Sequence, residues 1–483
     1  MMLRILGKRN LEELKTINNL KLAPKSANRG MFRKISSYYN NVKRKVGELT
    51  AVLGDNLTEQ IRLACSPHTK LKLRLQAIQE LIDKGEMLNN LFMKKISGKI
   101  KIPEFAKVGK KPRLIGDFSC PGSLLAGFLV PCLKFAFSDA IVIDGSRFRF
   151  VYTTDAAELD GIFNDADQSI YDEYIFFSDD VCCKINVDGV HKWFNLDVSQ
   201  MDASNGPAIF SRMSWFFDNF THHKDLIDLA VRQCMQRLVI FHPAGKKIPE
   251  RVTCKPSQPI EFSGTQLTTA LNNAGVVAIC ISISHYLKHH RRIGESIDEL
   301  IARAALAVGY EVTLQHCDDV ENIQFLKHSF YRDSNTGSLH SFVNLGPLIR
   351  GFGTCWMDID YSRKLGETLQ GAWRQRNWSV LQGFKHSGLD LITQPLLFSK
   401  GCQRQKGKYT QLTNRLVKEN SYKMYTNSQS IRKPVPLISL MKRYSFNDDE
   451  FNQLIKLIVR SDIGHVIACS AVDKIMQVDN RSI

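Results

Sequence analysis

The residues best suited to chemistry in this sequence are aspartates placed at the ends of apolar runs. Lys192 to Gly206 reads KWFNLDVSQMDASNG, where a short aromatic and aliphatic run ends in Asp197 and a second acid, Asp202, follows five residues later. Tyr174 to Ile185 reads YIFFSDDVCCKI, two apolar runs separated by Asp179 and Asp180. That is the pattern of a β-hairpin with carboxylates at its turn. Laid beside the Asp197 strand in one sheet, the hairpin brings Asp179 or Asp180 within a few Å of Asp197. Carboxylate oxygens suit hard divalent cations. Two Mg²⁺ (or Mn²⁺) ions roughly 3.5 to 4 Å apart can activate an attacking hydroxyl and stabilise a leaving phosphate oxygen. An acid in a turn also satisfies backbone N–H groups with no metal present, so the hairpin has to be read with its neighbours.

Two neighbours carry weight. Ser263 to Asn272, SGTQLTTALN, is a small, flexible loop that opens a helix running to about Leu287. Ser263, Thr268 and Asn272 are its polar positions, suited to touching a sugar or a phosphate, with Gly264 in the loop. Lys107 to Ile115, KVGKKPRLI, gathers Lys110, Lys111 and Arg113 into one basic tract. Alone, that tract reads equally as a solvated charge run.

Taken together, these segments resemble the palm motifs of viral RNA-dependent RNA polymerases. DVSQMDAS is similar to motif A, SGTQLTTALNNAG to motif B, and KVGKKPRLI to motif F, a basic fingers strand over the incoming triphosphate. Glu299 to Leu314, a helix followed by Gly and a strand, resembles motif D, and Ile323 to Tyr331, IQFLKHSFY, resembles motif E. Two acidic pairs compete for motif C. His316-Cys317-Asp318-Asp319 follows motif B, as in the usual A, B, C order. The SDD hairpin precedes motif A, an order that resembles the permuted polymerases of birnaviruses and permutotetraviruses. The runs flanking Asp179 and Asp180 are apolar, as a buried central hairpin requires, whereas those flanking Asp318 alternate like a half-exposed strand. With D and E placed as above, no room remains for C after B, and the permuted order is the reading adopted.

The resemblance implies template-directed nucleotidyl transfer onto a 3′-hydroxyl. By it, Asp197, Asp179 and Asp180 hold two Mg²⁺ or Mn²⁺ ions. Asp202, Ser263, Gly264, Thr268 and Asn272 bind the nucleotide and read its ribose 2′-hydroxyl. Lys110, Lys111 and Arg113 neutralise the triphosphate. Where the family often has a lysine that protonates pyrophosphate, this sequence has Cys317 with His316 beside it, which makes His316 a candidate general acid. Implied partners are RNA template and product, nucleoside triphosphates, and viral or host replication proteins. The implied setting is a replication complex in host cytoplasm, or the virion. Two other classes stay open: an inert RNA-binding protein with a polymerase-like shell, and a reverse transcriptase, against which Asp202 and Asn272 speak.

The elements that must position these residues make an α+β chain. Up to about residue 105 the pattern is mainly helical. From Lys101 to about Asp319, short β-rich runs surround one long helix. Past residue 330 the chain reads as loop-rich, then basic from Gly401 to Gln429. A late helix follows, with Asn447 as N-cap, Glu450 three residues on, and one apolar face of Phe451, Leu454, Ile455 and Ile458. The expected architecture is a right hand with a palm antiparallel sheet. An N-terminal extension and fingers occupy 1–165, and the palm occupies 166–330 with a fingers insertion at about 207–258. Thumb and basic C-terminal region occupy 331–483.

Charge and composition bound the rest. At 483 residues and 43% hydrophobic, the chain is long and apolar enough to fold around a sizeable core, which excludes a disordered tail. Its net charge of +17 is concentrated: residues 1–50 carry +9, residues 400–443 carry +10, and the remainder sums to −2. Two basic flanks suit the walls of a polyanion groove, or two solvated lysine-rich surfaces. The twelve cysteines include no CxxC pair, which argues against structural zinc and for reduced thiols. No secretory signal and no transmembrane segment are expected, although the basic ends suit peripheral contact with an anionic membrane.

Overall fold

In the computed structural model the described residues are 96–100, 114–117, 140–151, 155–207, 209–210, 238–241, 251–254, 261, 263–264, 268–353, 368–384, 387–399, 401–402, 432–462 and 467–479. The basic tract Lys110, Lys111 and Arg113, residues 1–50, and the run 403–431 lie outside them. Numbered in chain order, the strands begin with β1 (Ile96–Ile100), β2 (Leu114–Asp117), β3 (Ile141–Ile143) and β4 (Ser146–Phe150). Then come β5 (Asp172–Phe177), β6 (Asp180–Val187), β7 (Val190–Val198), β8 (Leu238–Phe241) and β9 (Arg251–Cys254). The last are β10 (Val312–Cys317), β11 (His328–Arg332) and β12 (Leu339–Val343).

One sheet has the order β2-β1-β8-β9, a second β10-β7-β6-β5-β4-β3, and β11 pairs with β12. Pairing is mostly antiparallel, with parallel exceptions at β1–β8 and β4–β5. The fold is therefore mixed, with helices packed on a largely antiparallel sheet, in keeping with the α+β class. The described residues belong to two compact units. The first contains residues up to Val151, Tyr171–Val181 and Leu196–Leu314; the second contains Tyr152–Ile170, Cys182–Asn195 and the chain from Gln315 onward.

In the first unit β4 shows how alternation sorts residues. Phe148 and Phe150 are buried on one face, stacking on Tyr174 and Phe177. Arg147 and Arg149 lie on the other, where each donates through Nε to the buried Glu173 carboxylate, at 2.7 and 3.0 Å. Two guanidinium groups on one buried acid satisfy charge that would otherwise be costly to desolvate. The long helix α3 (Thr268–His289) comes after two shorter ones, α1 (Ala156–Gln168) and α2 (Met201–Ser204). It is buried on nearly every side from Leu271 to Ile283. A helix that is apolar all round belongs in a core. Helix α4 (Ile297–Ala307) starts with a Ser296/Glu299 capping box and receives the Ser282 hydroxyl at Ala304 O. No helix among the described residues is long and apolar enough to cross a membrane.

In the second unit α1 buries Leu159, Phe163 and Ala166, with the Phe163 ring tilted against Phe330 at 4.1 Å between centroids. Its C-terminal carbonyls are closed by the buried Lys184, whose Nζ donates to Ala166, Asp167 and Ser169. The segment after residue 330 departs from the loop-rich expectation. It forms β12, α5 (Leu345–Gly353), α6 (Leu369–Gly383) and α7 (Asp390–Leu397). Helix α6 carries Gln, Asn, Arg and Gly between its apolar residues, and this hides the period, yet Val380 and Leu381 still reach the core. Likewise Ile96–Ile100 is a strand rather than part of a helical stretch, because it is held between β2 and β8. Beyond α8 (Leu437–Tyr444), the late helix α9 (Asp448–Arg460) forms as expected. Asn447 and Glu450 make a capping box, and Phe451, Leu454 and Ile458 are buried. With α10 (Ser470–Asp479) it closes a core containing Leu345, Phe384, Leu440 and Ile475.

Candidate active site

The acids of YIFFSDDVCCKI and the following strand are set by two tight turns. Ser178 and Asp179 link β5 to β6, with Ser178 at φ +57°. Asp188 (φ +56°) and Gly189 (φ +88°) link β6 to β7, and Asn186 Oδ1 accepts from Gly189 N–H at 2.9 Å. Positive φ at both central residues is what a two-residue hairpin turn needs. Such a turn fixes register, so Val187 faces Val190, and counting along the strands brings Asp180 opposite Asp197. Directly opposed residues have Cβ atoms about 4.5 to 5.5 Å apart. Asp197 is half-buried, while Asp179 and Asp180 are exposed at the hairpin tip. Behind the tip, Tyr174, Ile175, Phe176, Val181, Cys182 and Cys183 are all buried. Those apolar runs anchor the hairpin that holds the acids in the open.

After β7 the chain turns through Gln200, at φ +49°, into the single-turn helix α2, and this directs Asp202 toward α3. There a hydrogen-bonded cluster forms. Asn272 Nδ2 donates to Asp202 Oδ1 at 3.1 Å and to Ser178 Oγ at 3.2 Å, and Ser178 N–H donates to Asn273 Oδ1 at 2.8 Å. The turn that carries Asp179 is thereby tied to the start of α3 and to Asp202. Behind this pair, Asn205 Nδ2 donates to Asn272 Oδ1 (2.8 Å) and to Glu261 Oε2 (2.5 Å), and Tyr310 Oη donates to Asn205 Oδ1 (2.8 Å). Asn205, Glu261, Asn272 and Tyr310 are all fully enclosed.

Among the described residues no cation helps to set the charge state of Glu261. Burial first, and then the charges of Asp202 and Asp179, push its carboxyl well above the usual carboxylate range. The Asn205 and Thr268 hydrogen bonds only partly offset this. The electrostatics place three acids, Glu261, Asp202 and Asp179, in one neighbourhood. Close approach is enforced at two glycines. Gly264 has φ +101°, and a Cβ there would fall 2.6 Å from Ile115, while neighbouring Ser263 accepts Gly116 N–H at its carbonyl (2.9 Å). A Cβ on Gly275 would fall 2.6 Å from both Met201 and Tyr310, so this glycine lets α3 close on the cluster.

Among the expected site residues, Asp179, Asp180, Asp197, Asp202, Ser263, Gly264, Thr268 and Asn272 all fall in the first unit. One direct hydrogen bond joins Asp202 and Asn272; Lys110, Lys111 and Arg113 lie outside the described residues. His316 belongs to the second unit, exposed on β10 with Phe194 against its ring at 5.1 Å. Burial pushes the adjacent Cys317 thiol up to about 11. Asp318 and Asp319 follow the end of β10 in the same unit. Asp319 Oδ1 accepts from Glu321 N–H and Asn322 N–H, capping the 3-10 turn Val320–Asn322, and its carboxylate lies 3.5 Å from Lys442 Nζ. Sequence reasoning places Ser178 at the first position of the SDD turn without joining it to this cluster, and does not single out Asn205, Glu261, Asn273 or Tyr310. Asn205, three residues after Asp202, and Glu261, two before Ser263, are its nearest sequence traces.

Among the described residues no three carboxylate, imidazole or thiol side chains converge closely enough to hold a metal ion as they stand. The donor set of Asp179, Asp180 and Asp197 is nonetheless all carboxylate oxygen, the chemistry that Mg²⁺ and Mn²⁺ take. No family profile matches the chain, and no curated protein matches it. Among solved structures the chain is similar to one in the X-ray structure of the birnavirus VP1-VP3 complex, at 10% identity and a TM-score of 0.43. The match covers 85% of this chain and spans 55% of that one.

Proposed function

We propose that this chain is an RNA-dependent RNA polymerase of viral type, with its palm motifs in the permuted order C, A, B. One observation carries the reading: Asn272 hydrogen-bonds both Asp202 and Ser178, so the segments resembling motifs A and B meet the SDD turn at one place. Asp197, Asp179 and Asp180 would hold two Mg²⁺ or Mn²⁺ ions. Such ions, when bound, make the attacking hydroxyl more acidic and stabilise charge on the leaving phosphate oxygen.

The protein's own residues do the rest. On the register counted from the Asp188-Gly189 turn, β6 and β7 would hold Asp180 opposite Asp197, while Asp179 sits in the turn that precedes β6. Asp202, oriented by the Asn272 amide through one carboxylate oxygen, can accept a bond from a ribose 2′-hydroxyl with the other. A site built to bond a hydroxyl rejects the analogue that lacks it, because its own polar group is left unpaired. Lys110, Lys111 and Arg113 would neutralise the triphosphate. Fingers, palm and thumb would follow the boundaries 1–165, 166–330 and 331–483. One contrast favours the permuted motif order. Asp179 lies in the turn tied to Asn272, whereas Asp319 is engaged in capping a turn and pairing with Lys442. The test is incorporation of ribonucleotides on a defined RNA template with Mg²⁺. Template-dependent extension is expected, and its absence under all metal and template conditions would remove the reading.

A further inference from the structure

We propose that Asn205, gripped by Glu261 and Tyr310, is the positioning residue that fixes which way the Asn272 amide faces, and through it the sugar selectivity of the site. This rests on the polymerase reading above. A carboxamide has one accepting and one donating end, and the wrong way round it meets its neighbours with like poles. Tyr310 Oη donates to Asn205 Oδ1 at 2.8 Å. The other end of the same amide, Nδ2, is shared between Glu261 Oε2 and Asn272 Oδ1, at 2.5 and 2.8 Å.

The direction then propagates. With its Oδ1 taken by Asn205, Asn272 must turn Nδ2 outward, where it meets Asp202 Oδ1 and Ser178 Oγ. Reversing either amide alone would set oxygen against oxygen: Asn205 Oδ1 against Asn272 Oδ1, or Asn272 Oδ1 against Asp202 Oδ1. Both ends of the relay therefore enforce one orientation. Its members Asn205, Glu261, Asn272 and Tyr310 are buried, so no water-exposed alternative is open to them. The members come from four separate segments: Asn205 follows α2, Glu261 precedes the Ser263-Gly264 loop, Asn272 lies in α3, and Tyr310 leads into β10. The relay makes sugar choice depend on residues that touch no nucleotide.

The experiment measures the ratio of kcat/KM for a ribonucleotide to that for its 2′-deoxy analogue. Variants are Tyr310→Phe, Glu261→Leu, Glu261→Gln and, as reference, Asn272→Ala. Tyr310→Phe and Glu261→Leu are expected to lower the ratio roughly tenfold, the size of effect that outer partners of a ligating group have, mainly through a higher KM for the ribonucleotide. Glu261→Gln keeps an oxygen that can accept from Asn205 and should restore the wild-type ratio. Tyr310→Phe removes one hydroxyl and serves if Glu261→Leu does not fold. If Asn272→Ala changes the ratio while Tyr310→Phe and Glu261→Leu slow both sugars equally, the relay is wrong and the polymerase reading stands. If Asn272→Ala leaves the ratio unchanged, or the wild-type protein incorporates nothing, the reading fails and the relay falls with it.

Discussion

Glu261 is a buried acid beside two others, and its protonation follows from its surroundings. Its folded-state pKa is raised, first by burial and then by Asp202 and Asp179. Both folded and unfolded forms are protonated below the ordinary value of 4.5. Above it, unfolding releases a proton, so stability falls as pH rises toward the folded pKa, by at most about 1.4 kcal/mol per pH unit. Glu261→Gln removes that slope. In the presence of a chelator, the Tm of the variant relative to wild type is expected to climb between pH 5 and 8; a constant difference would show that Glu261 is ionised in the fold. At the same scale, Asn272→Ala should relax sugar choice, with ribonucleotide incorporation falling more than 2′-deoxynucleotide incorporation. An unchanged ratio would remove Asn272 from the ribose site. Sequence spacing points to Asp202 and Asn272 because each lies in a short, characteristic run. It cannot pair Asn205 with Tyr310, which is 105 residues away along the chain, because only the packing of α3 brings them together.

Elements differ in how openly they announce themselves. Helix α9 carries its boundary in local chemistry: Asn447 accepts from Glu450 N–H at 2.8 Å and Glu450 answers at Asn447 N–H at 3.0 Å. Asn447→Ala is expected to cost about 0.5 to 2 kcal/mol, read as a lower Tm; no change would mean that burial of Phe451, Leu454 and Ile458 alone sets the helix. The hairpin β5–β6 is equally legible, since two apolar runs around Ser178-Asp179-Asp180 suit a buried hairpin. Strand β1 is not, because ISGKI becomes a strand only when β2 and β8 supply its partners. Helix α6 escapes sequence reading for a different reason, its apolar stripe being interrupted by polar residues. Gly264 shows where an element depends on one backbone conformation. Its φ is +101°, and any Cβ at this position would stand 2.6 Å from Ile115, so Gly264→Ala should destabilise the protein by about 1 to 3 kcal/mol. Unaltered urea denaturation would show that the loop can move aside.

Over the whole chain, charge and chemistry are segregated. The basic stretches 1–50 and 400–443 carry the positive excess, while the acids of the candidate site lie in the nearly neutral middle. If the basic flanks line an RNA path, affinity falls steeply with salt as counterions are released. Neutralising Lys400, Arg404, Lys406 and Lys408 together should weaken template binding and flatten the slope of log affinity against log salt, with little dependence on template sequence. An unchanged slope would make that flank a solvated surface.

That the hairpin acids, and not those after β10, perform the chemistry is decided by extension of RNA on an RNA template. Wild-type protein should incorporate ribonucleotides with Mg²⁺, Asp179→Ala and Asp197→Ala should each lose about 10³-fold or more, and Asp318→Ala should retain most activity. An active Asp179→Ala variant beside an inactive Asp318→Ala variant would contradict the account and restore the usual motif order.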